Sequence, residues 1–551
     1  MSASLDTAIA AEDMRWWGWG DPGHQSALPD HVVELLREEV GIAEDPRRPV
    51  ELEDVKLPPS ALGRAAHRGL SDAVGAARIL TDHQVRVVHA AGKGYVDLLR
   101  QRTGTPEAAP DAVVFPDSHE QVAAVLAACA RFRVAVVPFG GGTSVVGGVA
   151  PLRGRQVAVV SLDLRHLRGL VDVDRESLLV RAAAGTRGPA LEAELAAHRL
   201  TLGHFPQSFE YVTIGGCAAT RSAGQASNGY GRIDELVRGL RMASPSAELV
   251  LAAQPASAAG PDLRELIVGS EGTLGVITDV TLKVRPRPAE THYEALFFET
   301  FEQGAQALRL VAQERRAPDI GRLSDEEETR LTMGLAGDGG LKGRLGRGYI
   351  RTRGYAGGCL GIFGWEGDTD DVRQRAGDTL AVLRRAGGLQ LGGSPARAWA
   401  RGRFAAPYLR DDLFSLGVMV DTMETAGRWS GLLGLREAII AAVRQTLGDR
   451  GTPPLVMCHI SHLYQSGASL YFTVIARQQD GAEIEQWQAA KAAATDAIIA
   501  GGGTLTHHHG VGRDHAAWLE REIGPAGVDL LRGLKARLDP AGIMNPGKLM
   551  G

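Results

Sequence analysis

The strongest constraint on how this chain folds is the stretch from Pro138 through Phe139, Gly140, Gly141, Gly142, Thr143 and Ser144 to Gly148, which follows the apolar run Val134 to Val137. Consecutive glycines straight after a buried strand carry no Cβ, so bare amides and the Thr143 and Ser144 hydroxyls can line up on a phosphate. A diphosphate is the obvious ligand, and a tight turn between strands is the alternative that a glycine cluster leaves open. The stretch is not a Gly-x-x-x-x-Gly-Lys-Ser/Thr loop. It also lacks the strand, turn and helix frame, with an acidic residue about 20 positions further on, that a Rossmann site requires.

Two more small-residue segments follow: Thr213-Ile-Gly-Gly-Cys-Ala-Ala-Thr-Arg-Ser-Ala-Gly224, continuing to Asn228-Gly-Tyr-Gly231, and Gly269-Ser-Glu-Gly-Thr-Leu-Gly-Val-Ile277. Small residues mixed with Thr and Ser let a backbone lie flat against a planar or phosphorylated ligand. Three such segments between Ala109 and Pro288 point to one large dinucleotide, and FAD fits best.

With 551 residues the chain is long enough for two or more domains. A net charge of -5 argues against a general nucleic-acid binder. The four cysteines form no Cys-x-x-Cys pair and read as reduced core or site residues. No apolar run reaches membrane-helix length. Met1 to Met14 lacks a secretory pattern and the C-terminus is not Ser-Lys-Leu, so a cytoplasmic location is expected.

Met14-Arg-Trp-Trp-Gly-Trp-Gly20 is too Gly-broken for a helix and reads as an aromatic plug at a domain junction, with a ligand stack as the alternative. The periodicity predicts a helix over Leu28 to Gly41 and mostly helix to Leu99, with Asp82 to Ala91 extended. From Ala109 a βαβ rhythm runs through Ile214-Gly-Gly216 to Val284, and Arg285-Pro-Arg-Pro288 breaks the chain. Strands and helices then restart in an α+β pattern, interrupted by a Gly- and Arg-rich passage with Lys342, Arg344, Arg347, Arg351 and Arg353. That passage reads as a solvated loop, or else as an electropositive lip for an anionic substrate or a membrane surface. Asp514 to Leu538 reads as helix. The expected division is 1–108, mostly helical; 109–287, dinucleotide-binding; 288–505, cap; and 506–551, histidine tract and C-terminal helix.

This motif set resembles the vanillyl-alcohol oxidase family of flavoproteins, and within it the alkyldihydroxyacetonephosphate synthase branch. The resemblance runs almost the full chain, from the Trp-rich segment to the C-terminal helices. It implies an α+β fold, in which a two-subdomain FAD-binding domain of vanillyl-alcohol oxidase type carries an α+β substrate cap and helical terminal segments. It also implies non-covalent FAD held by four segments. These are Pro138 to Ser144; Gln207, Ser208, Phe209, Glu210, Tyr211, Val212 and Thr213; Thr220, Arg221, Ser222 and Ala223, with the Tyr230 to Glu235 run; and Glu271, Gly272, Thr273, Leu274, Gly275, Val276 and Ile277. His204 matches a further position near the flavin.

The cap is expected to bring the chemistry. His507, His508 and His509 put three imidazoles beside a Gly turn, where neutral and protonated forms are both reachable near pH 7. On its own the run is a tag-like accident or a metal site, and in a strand its alternate rings would face opposite sides. No further convergent ligand is apparent in the sequence, so no metal is expected. The resemblance instead puts the tract at the flavin. It also makes Tyr471 the active-site tyrosine, a core residue with its hydroxyl satisfied being the alternative, and near imidazolium or arginine its phenol could be lowered to serve as a base. Arg410 becomes the phosphate anchor, an ion pair with Asp411 or Asp412 being the alternative. Arg322 matches a functional arginine, a surface ion pair being its alternative. His459 and His462 are expected at the pocket lining.

The family reaction exchanges the fatty acid of acyl-dihydroxyacetone phosphate for a fatty alcohol without net redox, the flavin serving as electron sink. The resemblance further implies a homodimer with peripheral membrane contact. Two departures keep an FAD-dependent 2-hydroxy-acid dehydrogenase or oxidase as the rival. Gln207 stands where the synthases carry an aspartate, and the segment Leu538 to Lys548 looks more like those dehydrogenases. Against the rival, they usually carry Glu-His-Gly where this chain has His508-His-Gly510.

Overall fold

The computed structural model describes residues 14–24, 28–335, 355 and 357–551. Lys342, Arg344, Arg347, Arg351 and Arg353 lie outside the described residues, so the solvated-loop and electropositive-lip readings of that passage stay as sequence expectations. Among the described residues the strands form sheets of four, five, two and seven members.

The four-stranded sheet runs Ile79–Leu80, Ala112–Val114, Ala158–Asp163, Val134–Phe139. Its last three members are parallel. Near-continuous apolar residues make Ala158–Asp163 buried along its whole length, as a strand covered on both faces must be. The helix His119–Phe132 makes the crossover. The Ser118 hydroxyl caps it by accepting from the Gln121 amide, and Arg133 ends it with a left-handed φ of 56°.

The predicted βαβ rhythm stops there. The five-stranded sheet, Leu170–Asp174, Leu179–Ala183, Val276–Lys283, Val237–Ala243, Glu248–Leu251, is antiparallel throughout. The short links after Asp174 and Ala243 permit only hairpins, because a parallel pair needs a crossover of a dozen residues or more. Ile214–Thr220 is a short helix rather than part of a strand, started by the Thr213 side chain accepting from the Gly216 amide. Asp82 to Ala91 is not extended either. Asp82 caps a helix over His83–Val88, and burial of Val85 and Val87 overrides their β-branched preference.

The cap is an antiparallel seven-stranded sheet in the order Leu389–Gly392, Glu290–Phe298, Cys359–Gly367, Ile320–Ser324, Leu455–Ile460, Gly467–Arg477, Val418–Arg428. The helices Phe301–Gln313, Thr369–Arg385, Leu432–Asp449 and Glu483–Ala500 share one core with this sheet, to which Leu470, Phe472 and Val474 contribute. Their neighbours Tyr471 and Thr473 turn to the opposite face and line a cavity. No helix among the described residues is long and apolar enough to cross a membrane.

The C-terminal helix spans Leu519–Leu538, shorter than expected, and breaks at Gly524, where φ is 75° before Pro525. Beyond it the chain returns to the first sheet. The Asn545 amide donates to the Val136 carbonyl (2.8 Å), and its side-chain amide donates to the carbonyl oxygens of Glu271 (2.7 Å) and Gly148 (3.1 Å). The end of the chain thereby braces the strand that feeds the glycine loop. All four cysteines are free and buried.

Candidate active site

A cavity of about 490 Å³ lies between the glycine loop and the cap sheet. All of Pro138 to Ser144 lines it, together with Gln207, Ser208, Val212, Thr213, Thr220, Ser222 and Ala223. Glu271, Gly272, Gly275, Val276 and Ile277 complete that wall. The loop lies flat against its neighbour. A Cβ on Gly140 would meet the Thr213 hydroxyl, and one on Gly141 would fall on the Tyr211 carbonyl oxygen. Gly142 needs its left-handed φ of 67°. Such a bare cradle beside a second small-residue wall fits a flavin dinucleotide.

Gly141→Ala is therefore expected to cost about 2 kcal/mol or more at the loop, because backbone rather than a movable side chain occupies the space. The variant should purify with markedly less flavin than the parent protein at equal folded yield, measured by absorbance and by FAD titration. Flavin content equal to the parent's would refute the close-approach argument.

Some expected residues shape this wall from behind rather than lining it. Phe209 packs on Phe205 and Phe404. Glu210 accepts from the Tyr408 hydroxyl (3.1 Å). Tyr211 meets Trp19 edge-on, so the Trp-rich segment is both a plug and a wall, since Trp19 itself lines the cavity. Arg221 is tied to Asp234 and Glu265. Thr273 bonds the Ser270 carbonyl, and Leu274 sits in the core. His204 touches Ser222 through Nε2 (3.1 Å) and leaves Nδ1 buried without a partner. Gln207 lines the cavity, with its side-chain nitrogen donating to the Arg403 carbonyl (2.8 Å).

The cap side brings Arg322, Arg410, His459, His462, Tyr471, His508 and His509 to the same cavity. Arg410 stands on the helix Ala406–Ser415. Its Nη1 donates to the Lys93 carbonyl (2.6 Å), while Nε and Nη2 are buried without a partner. The expected rival partner Asp411 instead accepts from the Trp19 amide (2.7 Å). Arg322 pairs with Glu328, and its Nη1 donates to Nε2 of His459 (3.0 Å). His459 in turn donates through Nδ1 to Glu328 (3.1 Å). Burial pushes the Glu328 carboxyl up, but Arg322 and His459 pull it down to about 2, so the guanidinium charge of Arg322 is already compensated.

The histidine tract is an irregular loop, not a strand, and its rings do not alternate. The Glu424 carboxylate accepts from the backbone amides of His507, His508 (3.2 Å) and His509 (3.0 Å) and from the Thr506 hydroxyl (2.6 Å). Beyond the tract the Glu271 carboxylate accepts from the amides of Val511 (2.6 Å) and Gly512 (2.7 Å). His507 is not at the cavity wall. It bonds the Tyr464 hydroxyl through Nε2 (2.6 Å) and His508 through Nδ1 (3.0 Å). The sequence expectation that nothing else converges on these rings is corrected, since nitrogen atoms of His462, His507 and His508 lie within 4.8 Å of one another. Both nitrogens of His507 are engaged, Nε2 with the Tyr464 hydroxyl and Nδ1 with His508.

The expected lowering of the Tyr471 phenol is also corrected. Burial pushes it up to about 12, and the Glu424 and Asp421 carboxylates push the same way, outweighing the Thr422 hydrogen bond and the Arg322 charge that pull it down. The Tyr471 ring stacks on His459 at 4.9 Å and on His508 at 5.9 Å, with His509 edge-on at 5.7 Å. Sequence reasoning missed Glu424, Glu328, Asp421, Thr422 and Asn545. No spacing signals them, because sheet pairing and chain return bring them in.

These imidazoles make stability pH-dependent. Burial pushes His507, His508 and His515 down to about 3 and His204 to about 4. Unfolded histidines take up protons near pH ~6.5, so the unfolded chain binds more protons and stability falls as pH drops from ~7 to ~5.5. Glu271, raised to about 7 by burial, and Asp514, raised to about 6, act with the opposite sign. Four imidazoles against two carboxyls leave a loss of about 1.4 kcal/mol per pH unit for each net proton. The melting temperature should be lower at pH ~5.5 than at pH ~7. A flat or rising curve would contradict these assignments.

Comparison with known proteins agrees with this geometry. Residues 110–252 match the family model "FAD binding domain" and residues 287–549 match "FAD linked oxidases, C-terminal domain". The chain is 34% identical to an alkyldihydroxyacetonephosphate synthase of Dictyostelium discoideum, covering 85% of this chain and 78% of that protein. It is 30% identical to the one from Trypanosoma brucei brucei, covering 98% and 93%. A solved alkyldihydroxyacetonephosphate synthase superimposes with a TM-score of 0.84 at 29% identity, covering 98% of this chain and 99% of that one. With a cradle of bare glycines facing a cap that carries an arginine, a tyrosine and a histidine tract, and with synthase relatives that match over most of both chains, this FAD-dependent enzyme belongs to the alkyldihydroxyacetonephosphate synthase family.

Proposed function

We propose that the enzyme exchanges the acyl chain of acyl-dihydroxyacetone phosphate for a long-chain alcohol. The observation that carries this reading is Arg410, whose Nε and Nη2 are buried and unpartnered at the cavity that Tyr471 and His508 also line. A buried guanidinium with two idle donors is costly unless an anion completes it, and a phosphate monoester fits that fork. FAD, when bound, supplies the electron sink for the carbon that changes substituents. With the phosphate on Arg410, the ester-bearing carbon faces Tyr471. The neutral phenol takes a proton from that carbon only as it hands on its own, and the uncharged rings of His508 and His509 are the acceptors beside it. The bond to the carboxylate breaks, the alcohol oxygen bonds the same carbon and gives its proton to the imidazoles, and the proton taken earlier returns to the carbon through Tyr471.

The test is anaerobic mixing of the yellow protein with palmitoyl-dihydroxyacetone phosphate and, separately, with D-lactate. Release of palmitate and incorporation of labelled hexadecanol support the reading. Lasting flavin bleaching by lactate without palmitate release would replace it with 2-hydroxy-acid oxidation. The homodimer and the peripheral membrane contact belong to the same proposal, and light scattering and vesicle sedimentation test them.

A further inference from the structure

We infer that Glu424 is the positioning residue of the site: its carboxylate fixes the histidine tract against Tyr471. This rests on the function proposed above. Glu424 and Tyr471 are direct cross-strand partners of the antiparallel strands Val418–Arg428 and Gly467–Arg477, so their side chains leave the sheet on the same face. From that face the carboxylate gathers the amides of three consecutive histidines and the Thr506 hydroxyl. Three adjacent N–H groups turned onto one oxygen pair form an anion nest, and here the anion is a side chain of the opposing sheet.

The same oxygens lie near the rings themselves, 3.6 Å from Nδ1 of His508 and 3.7 Å from Nδ1 of His509. Glu424 is 4% exposed. Burial pushes its carboxyl up, yet it lies well below the usual carboxylate range, because the Thr506 hydroxyl and any proton taken up by His508, His509 or His507 favour the ionised form. One anchor therefore sets both the backbone of the tract and the seating of the two rings that border the cavity. Without it an irregular loop would have to hold a geometry that reaction rates resolve at the level of an ångström.

The experiment compares Glu424→Gln and Glu424→Asp with the parent holoenzyme. Glutamine offers one acceptor oxygen and sets an NH₂ group against a backbone donor. Aspartate keeps both oxygens but reaches less far. For Glu424→Gln, kcat for palmitoyl-dihydroxyacetone phosphate should fall about 100-fold, with KM and FAD affinity changed less than about threefold, because Arg410 and the glycine loop are untouched. Glu424→Asp should recover part of the loss. A second readout needs no turnover: diethylpyrocarbonate labelling of His508 and His509 in the holoprotein, followed by mass spectrometry, should accelerate in Glu424→Gln as the tract is released.

Unchanged kcat in Glu424→Gln overturns the inference, as does loss of FAD affinity in parallel with kcat, which would mark a merely structural residue. If the parent enzyme fails to exchange acyl chains, the proposed function falls and the labelling rates alone decide on Glu424. Equal rates in parent and variant then overturn it.

Discussion

Arg410→Lys should raise the KM for the phosphorylated substrate and lower kcat/KM by roughly 100-fold, or about 3 kcal/mol, while leaving the flavin in place. The size follows from what is lost. The guanidinium keeps one donor on the Lys93 carbonyl and offers Nε and Nη2 to the cavity. A lysine ammonium is a compact point charge without the fork and cannot serve both sides at once. Because Arg410 stands on a cap helix and is not itself part of the glycine loop, FAD content is the internal control. A kcat/KM within about threefold of the parent's would remove Arg410 from phosphate recognition.

Tyr471→Phe should lower kcat by about 100- to 10,000-fold, the range that a positioned proton-transfer group contributes. Ring stacking on His459 and His508 survives the change, so the fold and the flavin site should be kept. Only the hydroxyl goes, and with it the proton carrier beside the tract. KM should move little, in contrast to Arg410→Lys, and this split between the two variants separates chemistry from phosphate binding. Exchange persisting unchanged with FAD bound would move the proton-transfer role to the imidazoles alone.

The parts of this protein that were legible in its sequence share one property: their role follows from a local run. Pro138 to Ser144, Thr213 to Gly224 and Gly269 to Ile277 are short stretches whose composition sets how closely a backbone can approach a ligand. In the structure these stretches line one cavity, and a Cβ on Gly141 would fall on the Tyr211 carbonyl oxygen. Helices such as His119–Phe132 and Phe301–Gln313 carry their own caps and periodicity. Local signals failed where partners decided. Val85 and Val87 favour a strand by themselves but sit in a capped helix. The strands from Leu170 to Lys283 alternate with helical segments yet pair antiparallel.

The candidate site shows the same division more sharply. Sequence alone determined that a dinucleotide cradle exists, and resemblance picked out Arg410, Tyr471 and the histidine tract, because each lies in a recognisable segment. Only the tertiary structure decided what those residues are. Tyr471 has a raised phenol rather than a lowered one, because burial and the carboxylates of Glu424 and Asp421 outweigh the pull of Arg322. Arg410 spends Nη1 on the Lys93 carbonyl and keeps Nε and Nη2 idle, while one Asp411 oxygen accepts from the Trp19 amide. The tract's rings are seated by Glu424, 83 residues away in sequence from His507. Charge state and orientation depend on what surrounds a group in space, and a linear chain does not contain that information until it has folded.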